Sequence, residues 1–136
     1  MTGKLRRAFS NHKYRYNLKS FKIGKRRQDK IIRSLLRNYD VEYAPMYYNG
    51  VDIKAWKIGK NFQGDPDIVM EVTNYSKTSY MTLKRAMRYI ENLSKYPNSR
   101  KILVVSFIEN IRHLLPQIGP LLKQYKIELK IMGRQD

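Results

Sequence analysis

Apolar side chains recur at helical spacing in three segments of the chain. The segments predict helices over 28–39, 79–93 and 111–125, each with one apolar face. Pro116 and Pro120 cross the third helix, where a proline removes a backbone donor. We therefore expect three helices, of which the second has the longest apolar stripe.

Shorter apolar runs with alternating or β-branched residues lie between the helical segments. They predict five strands, over 41–48, 51–58, 68–73, 102–107 and 127–132. The dipeptide Asn49-Gly50 favours a tight hairpin turn between the first two. The element order is then α-β-β-β-α-β-α-β, which predicts an α/β fold with a mixed sheet flanked by helices.

Composition restricts the classes of function. The 136 residues include 28 Lys and Arg against 11 Asp and Glu, a formal charge of +17, and no cysteine. Disulfide scaffolds, thiol nucleophiles, zinc-thiolate sites and iron-sulfur clusters are thereby excluded. No apolar run could span a bilayer or serve as a signal peptide. We expect a cytoplasmic or nucleoid-associated protein, not secreted, with no membrane partner and with nucleic acid as its first candidate ligand.

Positive charge is concentrated in residues 1–27, which contain ten Lys and Arg and no acid. This segment predicts a basic N-terminal arm, followed by an α/β domain over 28–136. The arm and the first helix could bind a phosphate backbone while the arm's aromatic residues stack on bases. The alternative is a solvated arm that only raises solubility. The candidate nucleic-acid-binding residues are Lys4, Arg6, Arg7, Lys13, Arg15, Lys25, Arg26, Arg27, Lys30 and Arg33.

Four of the 11 acids fall within 20 residues, at Asp52, Asp65, Asp67 and Glu71. Glu71 interrupts an otherwise apolar strand, where a carboxylate loses hydration unless a cation, a metal ion or strong donors compensate it. The acids could also be exposed loop residues or caps. The position of Glu71 favours a metal site.

A hairpin centred between Phe62 and Gln63 would pair residues whose numbers sum to about 125. That register places Lys54 opposite Glu71 and makes Asp52 a diagonal neighbour of Glu71, roughly 7 to 8 Å away at Cα. Both carboxylates could then hold one divalent ion. Asp67, four residues from Glu71 and thus roughly 13 Å along the strand, could reach the ion only if the chain bends.

This group of residues suits phosphodiester hydrolysis with Mg²⁺ or Mn²⁺. Carboxylates hold the ion, the ion polarises the phosphate and activates water, and a lysine stabilises the developing charge. Lys54 is the geometric candidate for that lysine. Its alternative role is a structural salt bridge with Glu71.

The element order and these residues together resemble the PD-(D/E)xK nuclease superfamily, which includes restriction endonucleases and archaeal Holliday junction resolvases. The resemblance extends over 28–107. The superfamily pattern has an Asp at the start of the second core strand and acid-x-Lys on the third, which correspond here to Asp52 and to Glu71-Val72-Thr73. Pro66-Asp67 is a second match to the PD element, with Asp67 as an alternative or second ligand.

The resemblance implies a restriction-endonuclease-like α-β-β-β-α-β core, extended here by a C-terminal helix and strand. It also implies a metal-dependent DNA endonuclease, with RNA as the alternative substrate, that often acts as a homodimer. Thr73 stands where the superfamily has its lysine, and Lys54, Lys77 and Lys84 are candidates to replace it. The alternative is a non-catalytic nucleic-acid-binding protein, either a degenerate member of this fold or a ribosomal, nucleoid or viral protein.

Overall fold

A computed structural model describes residues 3–8, 18–44 and 50–133, with the backbone alone described over 18–26. The first half contains β1 (Leu5–Arg7), α1 (Leu18–Leu35), β2 (Tyr39–Tyr43), β3 (Ile53–Lys57) and β4 (Ile68–Val72). The second half contains α2 (Leu83–Ser94), β5 (Arg100–Val105), two short 3-10 turns, α3 (Leu115–Gln124) and β6 (Ile127–Ile131).

The six strands form one sheet in the order β1-β2-β3-β4-β5-β6. β3 is antiparallel to both of its neighbours, β2 and β4, and the other neighbouring strands are parallel. The prediction of an α/β fold with a mixed sheet and flanking helices is confirmed.

Side-chain alternation along the strands divides the core into two layers. On one face, Ile31 and Ile32 of α1 pack with Met70 and other strand residues. On the opposite face, α2 and α3 pack with Val69 and the inward residues of β5 and β6. Val69 and Glu71 are two residues apart on β4, so the Glu71 side chain points to the α2 face. Within the part of the chain that the structure describes, no helix is long and apolar enough to cross a membrane.

The N-terminal region differs from the prediction in two ways. Helix α1 begins at Leu18 and ends at Leu35, although the sequence pattern predicts 28–39. The arm also contributes β1, an exposed three-residue edge strand parallel to β2. Apolar periodicity in the sequence does not reveal either feature. For β1 the reason is that all three of its residues are exposed.

The remaining boundaries differ by smaller amounts. The third helix begins at Leu115, after two 3-10 turns, so Pro116 falls in its first turn, where the missing N–H costs nothing. The predicted turn residue Asn49 lies outside the described residues.

The predicted register of the β3–β4 hairpin is wrong by two residues. Ile53 pairs with Met70 and Lys54 with Val69, so Lys54 is not opposite Glu71. The connecting loop contains Asn61 and Phe62 at φ of 52° and 60°, a left-handed pair that moves the hairpin centre toward the N-terminus. Because side chains alternate with a period of two, a two-residue shift keeps every side chain on its predicted face.

Candidate functional site

Asp52 and Glu71 lie side by side where β3 and β4 separate. The Val72 backbone N–H donates to Asp52 Oδ2 at 2.7 Å, and the Asp52 backbone N–H donates to Glu71 Oε1 at 3.0 Å. Each carboxyl group thus bonds to the backbone of the other strand. These side-chain bonds continue the connection between the strands past the end of the ladder and fix both carboxyl groups in one place.

The Glu71 side chain is 2% exposed, and its other oxygen accepts a long hydrogen bond of 3.4 Å from Asn92 Nδ2 on α2. Within the described ranges, the three donors to the pair are neutral amides. None of the salt bridges among the described residues includes Asp52 or Glu71. Among the described residues, the buried carboxyl of Glu71 and the half-buried carboxyl of Asp52 therefore form no ion pair with a Lys or Arg.

Burial and mutual repulsion make the pair hard to ionise. Burial raises the pKa of Asp52 to about 6, although the Val72 N–H opposes the shift. Burial, and then the charge of Asp52, raise the pKa of Glu71 to about 9, against the effects of Asn92 and of the Asp52 N–H. In the absence of an added cation, the pair holds a proton near pH 7 and carries about one negative charge.

Polar residues lie along one side of α2, and one of them, Asn92, bonds to the pair. Arg85, Tyr89 and Asn92 lie at helical spacing on that side, and the Arg85 guanidinium interacts with the phenols of Tyr89 and Tyr75. Burial raises the pKa of Tyr89, and the charges of Asp52 and Glu71 contribute to the shift. The phenol is therefore close to the carboxyl pair. The predicted site omits these residues, although their spacing beside the apolar stripe of α2 was a usable signal.

Lys54 and Asp67 make ion pairs elsewhere. Lys54 Nζ lies 3.6 Å from Glu42 Oε2 on β2 and 5.5 Å from the centre of the Tyr96 ring. Asp67 lies before the start of β4, where it accepts the Lys57 backbone N–H at 2.8 Å and pairs with Lys60 Nζ at 2.9 Å. The structure thus unites Asp52 with Glu71 but does not bring Asp67 to them.

The position of the missing motif lysine is filled by a buried Thr73, whose hydroxyl donates to the Val104 carbonyl at 2.9 Å. Lys77 and Lys84 are exposed, and no described hydrogen bond or ion pair links either one to the carboxyl pair. Among the described residues there is also no group of three or more His, Cys, Asp or Glu that could hold a metal ion. Any ion at Asp52 and Glu71 would need further ligands of another kind.

The candidate nucleic-acid-binding residues fall into three groups. The exposed ones are Lys4, Arg6, Arg7, Lys30 and Arg33. Arg27 is buried, against the prediction, because its guanidinium donates to Asn74 Oδ1 at 3.0 Å and to Ser106 Oγ. The side chains of Lys13, Arg15, Lys25 and Arg26 lie outside the described residues.

The contacts of Arg27 fix the position of α1 relative to the carboxyl pair. Asn74 and Ser106 follow the C-terminal ends of β4 and β5. Arg27 therefore lies at the same end of the strands as Glu71 and Asp52. The helical segment 18–26, here called the overhang, precedes Arg27 and is roughly 14 Å long at about 1.5 Å per residue. This overhang carries four Lys and Arg and no acid.

Comparison with known protein families, curated proteins and solved structures gives no significant match to the chain.

Proposed function

We propose that the protein is a metal-dependent endonuclease that hydrolyses phosphodiester bonds of DNA, with Mg²⁺ or Mn²⁺ held between Asp52 and Glu71. One observation carries the proposal: two adjacent carboxyl groups, the buried one of Glu71 and the half-buried one of Asp52, form no ion pair with a Lys or Arg among the described residues. A divalent ion would displace the shared proton and supply the missing positive charge.

The chemistry follows from the properties of the pair. Two carboxylates are the ordinary protein contribution to a Mg²⁺ site, which otherwise uses water and substrate phosphate. The ion would polarise the scissile phosphate and lower the pKa of a bound water. Arg85 lies on the same side of α2 as Asn92, and we propose that it stabilises the developing charge in place of the lysine that Thr73 does not supply.

A polynucleotide fits the charge of the chain. The formal charge of +17 and the four Lys and Arg in the sequence of the α1 overhang support a polyanionic partner. A phosphate backbone bound along the overhang would have to cross the end of the sheet to reach Asp52 and Glu71, because Glu71 faces α2. Cleavage of both strands of a duplex would take two such sites, which a homodimer supplies, and a cytoplasmic or nucleoid-associated location suits this substrate.

The test is nicking of supercoiled plasmid in Mg²⁺, Mn²⁺ or EDTA. We expect metal-dependent cleavage that is lost in Glu71→Gln, which keeps an oxygen to accept the Asp52 N–H. Asp67→Asn is the matched control, because it removes a carboxylate of the same hairpin that is paired with Lys60. Gel-shift binding should survive in both variants. No cleavage by the wild-type protein in either metal, or equal cleavage by Glu71→Gln, would refute the proposal.

The second candidate is a nucleic-acid-binding protein without catalysis. Two observations favour it: Thr73 occupies the lysine position with its hydroxyl bonded to the backbone, and Lys54 pairs with Glu42. This candidate predicts the same salt-dependent binding of DNA or RNA but no metal-dependent nicking. The plasmid assay separates the two.

A further inference from the structure

Asn92 is an α2 side chain that forms a hydrogen bond with the carboxyl pair. Its Nδ2 donates to Glu71 Oε2 at 3.4 Å, near the upper limit for a hydrogen bond. This is the single side-chain hydrogen bond of Asn92 within the described residues, and its Oδ1 accepts none there. The amide oxygen of Asn92 is therefore available for another interaction beside Glu71.

The amide group can reverse its polarity by a rotation about its terminal torsion, which is broad and roughly two-fold. When Glu71 lacks a cation, the N–H side faces the carboxyl oxygen. With a divalent ion beside that oxygen, electrostatics favour the carbonyl side instead. An Asn carbonyl is a hard oxygen ligand, of the type that Mg²⁺ and related ions accept in proteins.

We propose that Asn92 Oδ1 is the third protein ligand of a divalent cation held by Asp52 and Glu71. This rests on the proposed ion site. The three ligands come from the residue before β3, from β4 and from α2, so the ion would connect the helix to the strands. An octahedral ion would keep three positions for water and substrate phosphate.

The test is calorimetric titration of Mn²⁺, as the chloride, into the full chain. We compare wild type with Asn92→Ala, which removes the ligand, and Asn92→Asp, which adds a third carboxylate. Asn98 provides the control, because its amide donates to Asp65 Oδ2 at 3.1 Å on the exposed surface. We expect about tenfold weaker binding for Asn92→Ala and about tenfold tighter binding for Asn92→Asp. Asn98→Ala should bind as wild type.

Titration of ¹⁵N-labelled protein with Mg²⁺ gives a second reading that does not depend on affinity. The side-chain amide signals of Asn92 should shift as the site fills, and those of Asn98 should not. Thermal unfolding of each variant confirms that its fold is intact.

The outcomes separate two failures. Mn²⁺ binding by wild type that is unchanged in Asn92→Ala, and no tighter in Asn92→Asp, would overturn the role of Asn92 and leave a two-carboxylate site. Absence of Mn²⁺ binding by wild type would overturn both the ligand and the proposed function.

Discussion

Without a bound cation, the carboxyl pair makes the fold less stable as pH rises. A carboxyl group whose pKa is higher in the folded than in the unfolded chain keeps its proton better when folded, so ionisation favours unfolding. For Glu71 the pKa rises from the ordinary 4.5 to about 9. Its contribution to stability is complete below pH 4.5 and is lost as pH rises through about 9.

The size of the effect can be bounded. At about 1.4 kcal/mol for each pH unit, the pKa change of Glu71 sets a ceiling of about 6 kcal/mol. Water entry and rearrangement around the ionised pair reduce this, so we expect a loss of about 2 to 3 kcal/mol in the free energy of unfolding between pH 5 and pH 9. Two groups of α2 also interact with the pair: the Asn92 hydrogen bond opposes the rise in the Glu71 pKa, and the Tyr89 phenol interacts with both carboxyl groups.

The perturbation is Glu71→Gln, which removes the ionisable group and keeps its shape. Urea unfolding in EDTA can be followed by the fluorescence of Trp56, the one tryptophan of the chain and 4% exposed. Across pH 5 to 9 we expect wild type to lose stability relative to Glu71→Gln, and Asp67→Asn to follow wild type. Parallel curves for wild type and Glu71→Gln would refute the account of a strained, uncompensated pair.

Three further predictions follow from the same geometry. Because the metal-free pair holds a proton, Mn²⁺ binding near pH 7 should release about one proton, measured as a dependence of the binding heat on the ionisation enthalpy of the buffer. Replacing the cations of the overhang with Gln should lower the slope of log Kd for DNA against log salt by about 2 to 4, measured by fluorescence anisotropy. An unchanged slope would show that the overhang does not contact DNA. Ile90→Ala, at the buried face of α2, should cost about 2 to 4 kcal/mol of stability in urea unfolding, and a loss under about 1 kcal/mol would contradict its packing between helix and sheet.

The adjacency of the two acids could be predicted from the hairpin, because a register shift of two residues still leaves Asp52 and Glu71 as neighbours across it. Asp52 itself lies just before β3, outside the paired residues. The register itself could not be predicted, since it depends on left-handed residues in the loop at Asn61 and Phe62. In the observed register Lys54 is opposite Val69 instead of Glu71, and its ammonium forms an ion pair with Glu42.

The periodicity of the sequence could not predict contacts between elements. Asn92 and Arg85 are ordinary polar residues of a helix until α2 is known to lie over β4. The burial of Arg27 is equally a tertiary effect, because the ends of β4 and β5 supply its two acceptors. The N-terminal half of α1 has no apolar stripe that would mark it as a helix in the sequence.

The central claim is that Asp52 and Glu71 together hold a divalent cation, and crystals grown with Mn²⁺ test it most directly through anomalous scattering. The account predicts one strong anomalous peak at about 2.2 Å from a carboxylate oxygen of each residue. A map with no peak between these side chains in millimolar Mn²⁺, or with a lysine ammonium at that position, would contradict it.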